Sequence, residues 1–392
     1  MAEAHIAMFP WFAMGHIISY HQLTTELAAR GLKISMLLPK KTVLKLLQYP
    51  NLISHPLTVP DVDGLPPGAE IASDVPFPDH HLLVMATDPK QLGFKSATYH
   101  SVAAATLAFV MVPSSFVPKG RPLTEDECRE IPHGYPSSTV VHRGDYEHRV
   151  MAGLSQASGE GTTFYERATT AMKNCDAICI RTCREIEGKY CDYIAAQYRK
   201  PVLLTGPALP EKTSPLEDQW DKWLGGFGAD SVVFCAFGSQ YILEKDQFQE
   251  LVVGFEMTGL PFFIALKPPT DCTTVEEASP AGFEERVKGR GVVHGGWVRQ
   301  QQILILSHPS VGLLVEELKA AVEVDKDQNG WFSKESLSEA IKCVMDKDGA
   351  VGLMVKKNHS ELKQVLGKPG WMSGYIDQFV HNLHELGLVS TP

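Results

Sequence analysis

The feature that most constrains this chain is a rhythm that runs twice. Short apolar segments alternate with amphipathic ones as far as residue 210, and the pattern restarts at 231. In the first pass "AHIAMF" (4–9), bounded by Pro10, reads as a buried strand. Ile17, Ile18, Leu23, Leu27 and Ala28 then suit one face of a helix that Gly31 stops. "LKISMLLP" (32–39) is a second strand and "KTVLKLLQYP" a helix closed before Pro50. "GFKSATYHSVAAATLAFVMVP" gives a strand and a helix, and "CDAICIRTC" (175–183) and "PVLLTGPALP" (201–210) give further strands. The second pass runs through strand "SVVFCAFGS", helix "EKDQFQELVVGFEMTG", strands "PFFIALKPP" and "GVVHGGWV", helical "LLVEELKAA", strand-like "VEV" and helix "KESLSEAIKCVMD". Strands separated by helices predict parallel sheets covered on both faces, an α/β fold.

Between the two passes, "EKTSPLEDQWDKWLGGFGAD" (211–230) shifts to charge, Gly and Pro, so the domain boundary is placed there. A chain of 392 residues, 44% hydrophobic, is more than one core usually carries, which also points to two domains. The net charge of −10 argues against a nucleic-acid binder. The longest nearly unbroken apolar run, "VAAATLAFVMV" (102–112), is too short to span a bilayer. No basic segment followed by an apolar one opens the chain, and its eight cysteines are thinly spread. The expectation is a cytosolic protein with reduced thiols and no membrane span.

Several motifs carry chemistry and must be weighed. His16 sits at the first strand-to-helix turn, and in open α/β sheets ligands gather outside the carboxyl ends of strands. Position alone leaves open whether it faces a ligand or caps a helix. The Pro-rich stretch 56–81 is a long loop of the kind that often binds substrate. In "DKDQNGWFSKES" (325–336), Asp325, Asp327, Asn329 and Gly330 match positions 1, 3, 5 and 6 of a calcium loop. The twelfth position, which must be a bidentate Glu, is Ser336, so the segment reads as a polar turn with Ser333 capping the next helix. Cys175, Cys179, Cys183 and Cys191 lack the paired spacing of zinc sites and read as buried thiols, the first three on one strand face. No G-x-S-x-G or Walker loop appears, and "GRGVVHGG" (289–296) opens no helix. "FCAFGSQ" (234–240) places amides and a hydroxyl at a strand end where a phosphate is held. "GGWVRQQQILILSHPSVG" (295–312) puts an indole just after a strand, suited to stacking on a nucleobase or to filling a core.

Together these segments resemble the plant UDP-sugar-dependent glycosyltransferases of small molecules, particularly the branch acting on flavonoids, anthocyanins and their glycosides. The matching pieces are "HIAMFPWFAMGHIISYHQL", "SVVFCAFGSQ", "GGWVRQQQILILSHPSVG", "NGWFSKESLSEAIKCVM" and "GYIDQFVHNL", in family order along nearly the whole chain. The resemblance implies two Rossmann-like domains facing across a cleft (GT-B type). Residues 1–210 would take the acceptor, 211–230 would link, and 231–370 would take the nucleotide sugar. The terminal helix, 371–392, would pack back on the first domain. It implies that His16 is the general base of an inverting transfer, beside Gly15 in the acceptor site. Trp297 would stack on uracil, Val298 meet its edge through the backbone, Gln300 lie near base and ribose, and Ser239 with Gln240 near the diphosphate. It implies a monomer that uses a UDP-sugar as co-substrate and a small-molecule acceptor, with no metal.

The sequence departs from the family pattern twice. After "HPSVG" the family's diphosphate turn and sugar-gripping acids are absent, since Gly312 runs directly into "LLVEELKAAVEV". In the first half, the strand whose Asp orients the base is missing, because "VMATDPKQ" passes straight to "LGFKSATYH". Asp88 is the nearest acid in sequence. The fold class expected is therefore two Rossmann-like α/β domains, truncated within both sheets. Two readings follow: an active transferase, or a shortened, catalytically impaired version of that fold.

Overall fold

The computed structural model describes residues 5–42, 53–59, 65–75, 94–115, 124–128, 130–140, 154–155, 157–158, 161–207, 217–237, 242–296, 298, 313–327 and 330–389. The chain divides into two compact units, Met1–Ala208 with Leu366–Pro392, and Leu209–Val365.

In the first unit, β1 (His5–Met8), α1 (Met14–Ala28), β2 (Lys33–Pro39) and β3 (Ile53–Leu57) come first. Their strands form a parallel sheet in the order β1-β2-β3. Then come β4 (Ala97–His100), α2 (Ala104–Val110), α3 (Phe164–Asn174), β5 (Ala177–Ile180), α4 (Arg184–Tyr198) and β6 (Val202–Leu204). These strands form a second parallel sheet, β4-β5-β6. Among the described residues no ladder joins β1 to β4. A doubly wound sheet runs 3-2-1-4-5-6, so its fourth strand lies beside its first.

Side chains bridge the seam between β1 and β4. Tyr20 on α1 donates its hydroxyl to the Tyr99 carbonyl at 3.1 Å, and the two rings meet edge to face with centroids 4.9 Å apart. One core runs under both sheets: Met8, Ile17, Leu27, Met36 and Leu38 share it with Cys179 and Leu203. The C-terminal helix (Trp371–Glu385) closes it with Ile376, Phe379 and Leu383. Arg30, at the end of α1, holds that helix through Asp377 at 2.6 Å, and Glu185 accepts from Tyr375 and Trp371. After β6, Gly206 has φ of +74°, and a Cβ there would come within 2.6 Å of the Met372 sulfur. Glycine is required there for both reasons.

The second unit holds α5 (Asp218–Leu224), β7 (Val233–Ala236), α6 (Lys245–Thr258), β8 (Phe262–Ala265), β9 (Gly291–His294), α7 (Lys334–Met345) and α8 (Ala350–Leu366), besides short helical turns. Its parallel sheet has the order β9-β8-β7, the first half of a doubly wound sheet. Phe248, Leu251, Phe255, Phe262, Ile264 and Leu337 pack one face. Trp220, Trp223, Phe234 and Phe263 pack the other. Among the described residues, then, the first unit carries two three-stranded sheets with a seam between them and the second carries one sheet of three strands.

Local chemistry sets the helix starts. Thr163 caps α3 and exchanges hydrogen bonds with Glu166 in a capping box. Ser333 caps α7 by accepting from the Ser336 amide. The preceding segment closes as a turn, Asp327 accepting from the Trp331 and Gly330 amides.

Four local readings need correction. β3 contains Pro56, assigned to the loop; an edge strand tolerates a residue without an N–H. Ile18 and Ala28 face outward, because 100° per residue carries them off the buried line of Ile17, Thr24 and Leu27. The 175–183 strand shrinks to β5, with Cys175 ending α3 and Cys183 opening α4, although all four thiols are buried. "VEV" (322–324) forms no strand, since no described strand lies beside it to pair; Val324 instead packs on the core.

Candidate active site

The carboxyl ends of the strands in the first unit gather a small set of polar side chains. β1 ends at Met8, and residues 9–13 turn the chain into α1. Two turn bonds fix the approach: the Ala13 amide to the Trp11 carbonyl at 2.8 Å, and the His16 amide to the Ala13 carbonyl at 3.0 Å. The Ala72 amide pins the Phe12 carbonyl at 2.8 Å, so the segment around Ala69, Ala72 and Val75 packs against the turn. This places the His16 ring in the first turn of α1, half-buried. Trp11 stands edge-on to it with centroids 4.9 Å apart. Beside it Gly15 is exposed, and a Cβ there would meet nothing within 4 Å. The backbone next to the imidazole is therefore open to a ligand.

Across the seam, β4 ends at His100 and β5 at Ile180. The His100 carbonyl accepts from the Arg181 amide at 2.9 Å. The Arg181 guanidinium donates to Ser19 at 2.7 Å, and Ser19 donates to the Gly15 carbonyl at 2.8 Å. A bridge of two side chains therefore links the end of β4 to the turn that carries His16. The Nε2 of His100 is buried with no hydrogen-bond partner among the described residues.

Both imidazoles are neutral at physiological pH. Burial pushes His16 down to about 4 and His100 down to about 4, the latter with a further contribution from His16 beside it. The positive end of the α1 dipole adds to the penalty on a charged His16. Among the described residues no carboxylate pairs with His16. The site can thus accept a proton on a neutral ring, and it stabilises the resulting imidazolium poorly.

In the second unit β7, β8 and β9 are parallel, so Ala236, Ala265 and His294 end on one edge. Val298 is buried against Phe263 and Ala265 at that end. Its side chain belongs to the core, which leaves only its backbone for a ligand. Ser239, Gln240, Trp297 and Gln300 lie outside the described residues, as does Asp88. The structure therefore places His16, Gly15 and Val298 of the residues read from the sequence. It adds His100, Arg181 and Ser19, which that reading did not single out. The signal for His100 was present: "SATYHSV" carries a histidine at a strand's carboxyl end, as the first strand-to-helix turn does.

Comparison with known proteins identifies the fold. No protein-family model matches the chain. The structure is similar to a UDP-glucosyltransferase from Polygonum tinctorium, solved with 3,4-dichloroaniline, with a TM-score of 0.69, 18% identity and coverage of 98% of this chain and 99% of that one. It is also similar to Arabidopsis thaliana UGT89C1, with a TM-score of 0.67, 18% identity and coverage of 97% and 100%. The fold is thus of the GT-B class, two Rossmann-like α/β units. In sequence the chain is 45% identical to UDP-glycosyltransferase 79B11 of Arabidopsis thaliana, covering 98% of both. It is 43% identical to the anthocyanidin 3-O-glucoside 2'''-O-xylosyltransferase of the same plant, covering 97% of both. The chain belongs to the plant UDP-glycosyltransferase family and is a glycosyltransferase.

The first of these alignments runs over 457 positions against a chain of 392 residues. At least 65 positions of the relative (457 less 392) therefore face a gap. The chain matches its relatives end to end and differs by internal loss. That end-to-end match to named transferases does not favour an inactive remnant.

Proposed function

We propose that this protein transfers a sugar from a UDP-sugar to a hydroxyl of a small plant metabolite of the flavonoid or anthocyanin glycoside type. The supporting observation is His16, a neutral imidazole in the first turn of α1 with open backbone at Gly15 beside it. In this reading His16 accepts the proton of the acceptor hydroxyl as its oxygen attacks the anomeric carbon. The new C–O bond forms while the bond to the diphosphate oxygen breaks. UDP leaves with the bonding pair, and the configuration inverts. A proton rests on His16 until product leaves. UDP is already a good leaving group, so holding the two substrates in line supplies much of the remaining acceleration.

The first unit takes the acceptor and the second takes the donor. Trp297 stacks on uracil, the Val298 backbone meets its edge, Gln300 lies near base and ribose, and Ser239 with Gln240 near the diphosphate. The reading needs no metal and no partner subunit, and it places the enzyme in the cytosol. No described helix is long and apolar enough to cross a membrane. Incubating the purified protein with UDP-glucose, UDP-xylose or UDP-rhamnose and a flavonol glycoside tests it. A product heavier by one sugar residue is expected. No product from any donor, together with no thermal stabilisation by UDP, would overturn it.

A further inference from the structure

The sequence lacks the strand and acid that orient the base in the family, and the described structure sets no carboxylate against His16. A histidine base without a partner loses both ring orientation and tautomer control. The seam between β1 and β4 is not empty of chemistry, because His100 closes β4 on its far side.

We propose that His100 is the positioning residue for His16: its buried Nε2 at the carboxyl end of β4, without a partner among the described residues, closes a hydrogen bond to the ring of His16 when acceptor binds, in the role that an aspartate would hold. The inference rests on the reading of His16 as base. Three observations carry it. The His100 backbone is fixed, its carbonyl bonded to the Arg181 amide and its register set against Ile180. Arg181 and Ser19 tie that strand end to the Gly15 carbonyl, which holds the two histidines in one neighbourhood. The His100 Nε2 is a buried polar atom without a bond among the described residues, which costs free energy in a folded protein.

A neutral imidazole has one donor and one acceptor nitrogen. Two neutral rings are therefore complementary: one ring's N–H meets the other's lone pair. Each is held neutral by burial, and His16 beside His100 further disfavours charge on it. When His16 takes the acceptor's proton, its second N–H is donated to His100, which stays neutral. No proton passes on to His100. A neutral acceptor stabilises imidazolium less than a carboxylate does, so this arrangement orients the base and leaves its basicity low. Hydrogen bonds of this type are often long in unliganded enzymes and tighten around substrate.

The test combines kinetics with a readout that needs no turnover. In His100→Leu, kcat is expected to fall by about ten- to a hundredfold while KM for the UDP-sugar stays within about twofold, since only proton transfer is impaired. His100→Gln, which keeps an acceptor and a donor, should recover part of that loss. In parallel, ¹⁵N-histidine NMR of the full chain reads the tautomer of His16, assigned by loss of its signals in His16→Ala. With a flavonol glycoside and UDP bound, the wild type should show one dominant tautomer, and His100→Leu should shift its ring nitrogens toward a mixture. Unchanged kcat and unchanged His16 ring nitrogens in His100→Leu would overturn the inference while leaving the base reading intact. An inactive wild type whose His16 tautomer still responds to His100→Leu would support the pairing and sink the base reading instead.

Discussion

The described sheets of the two units differ in layout, and the consequences differ. The first keeps strands on both sides of its switch point and is interrupted between β1 and β4. Its core still runs continuously from β2 across the seam to β6 and the C-terminal helix. Among the described residues the second has one sheet in the order β9-β8-β7, and α5 and α6 cover its two faces. A gap inside a sheet can be spanned by side chains such as Tyr20 and Arg181. The first unit therefore retains a legible site, while the described part of the second keeps a core and one strand-end valine.

This contrast sets an order of expected effects. The largest belongs to the second unit. Phe263, fully buried between Trp220, Trp223 and Phe234, anchors the centre of β8. Phe263→Ala should cost about 3–5 kcal/mol. Hydrogen exchange should show β7, β8 and β9 losing protection while β4, β5 and β6 keep theirs. Equal loss in both units would mean that they unfold as one.

Acid should act on the first unit instead. His16 and His100 have folded values near 4 against the usual 6.5, so between those limits the unfolded chain binds more protons. Their contribution is intact above pH 6.5 and is lost as pH falls toward 4. It amounts to on the order of 3 kcal/mol per ring before solvent screening is discounted for half-buried His16. Urea midpoints at pH 7 and pH 5, compared between wild type and the His16→Ala, His100→Leu double variant, measure it. The double variant should be the less acid-sensitive; equal sensitivity would place the titration elsewhere.

Two smaller effects sharpen the comparison. Trp297→Ala should weaken UDP binding by about 1–3 kcal/mol if the indole stacks on uracil. Calorimetry showing unchanged affinity would make Trp297 structural. Gly206→Ala should destabilise the first unit by about 1–2 kcal/mol, through a strained positive φ and contact with Met372. It should loosen the C-terminal helix, read as faster exchange over residues 371–385. Unchanged exchange there would show that the helix does not depend on this approach.

Much of the fold was legible because strand and helix periods differ so clearly in this chain. β1, β2, β4, β5, β6, β7, β8 and β9 all fall within segments read as strands. What was missed has local causes. Pro56 hid β3, since a proline is compatible with a strand only at an edge, and edges are not visible in sequence. "VEV" has strand composition, but a strand is a pairing, and its partners are absent among the described residues. For the proposed site, His16 stood out from its place after an apolar run and from the surrounding family motif. His100 obeys the same strand-end rule, yet its value depends on what lies across the seam, a tertiary fact that no local pattern carries. Arg181 and Ser19 likewise gain meaning only from their contact with each other.

The central claim is that a half-buried, neutral His16 removes the acceptor's proton. The most direct measurement is kcat for transfer to a flavonol glycoside by His16→Ala beside the wild type, with UDP affinity determined for both. The account predicts a loss of about 10²- to 10⁴-fold in kcat with UDP affinity unchanged. Undiminished transfer by His16→Ala would contradict it.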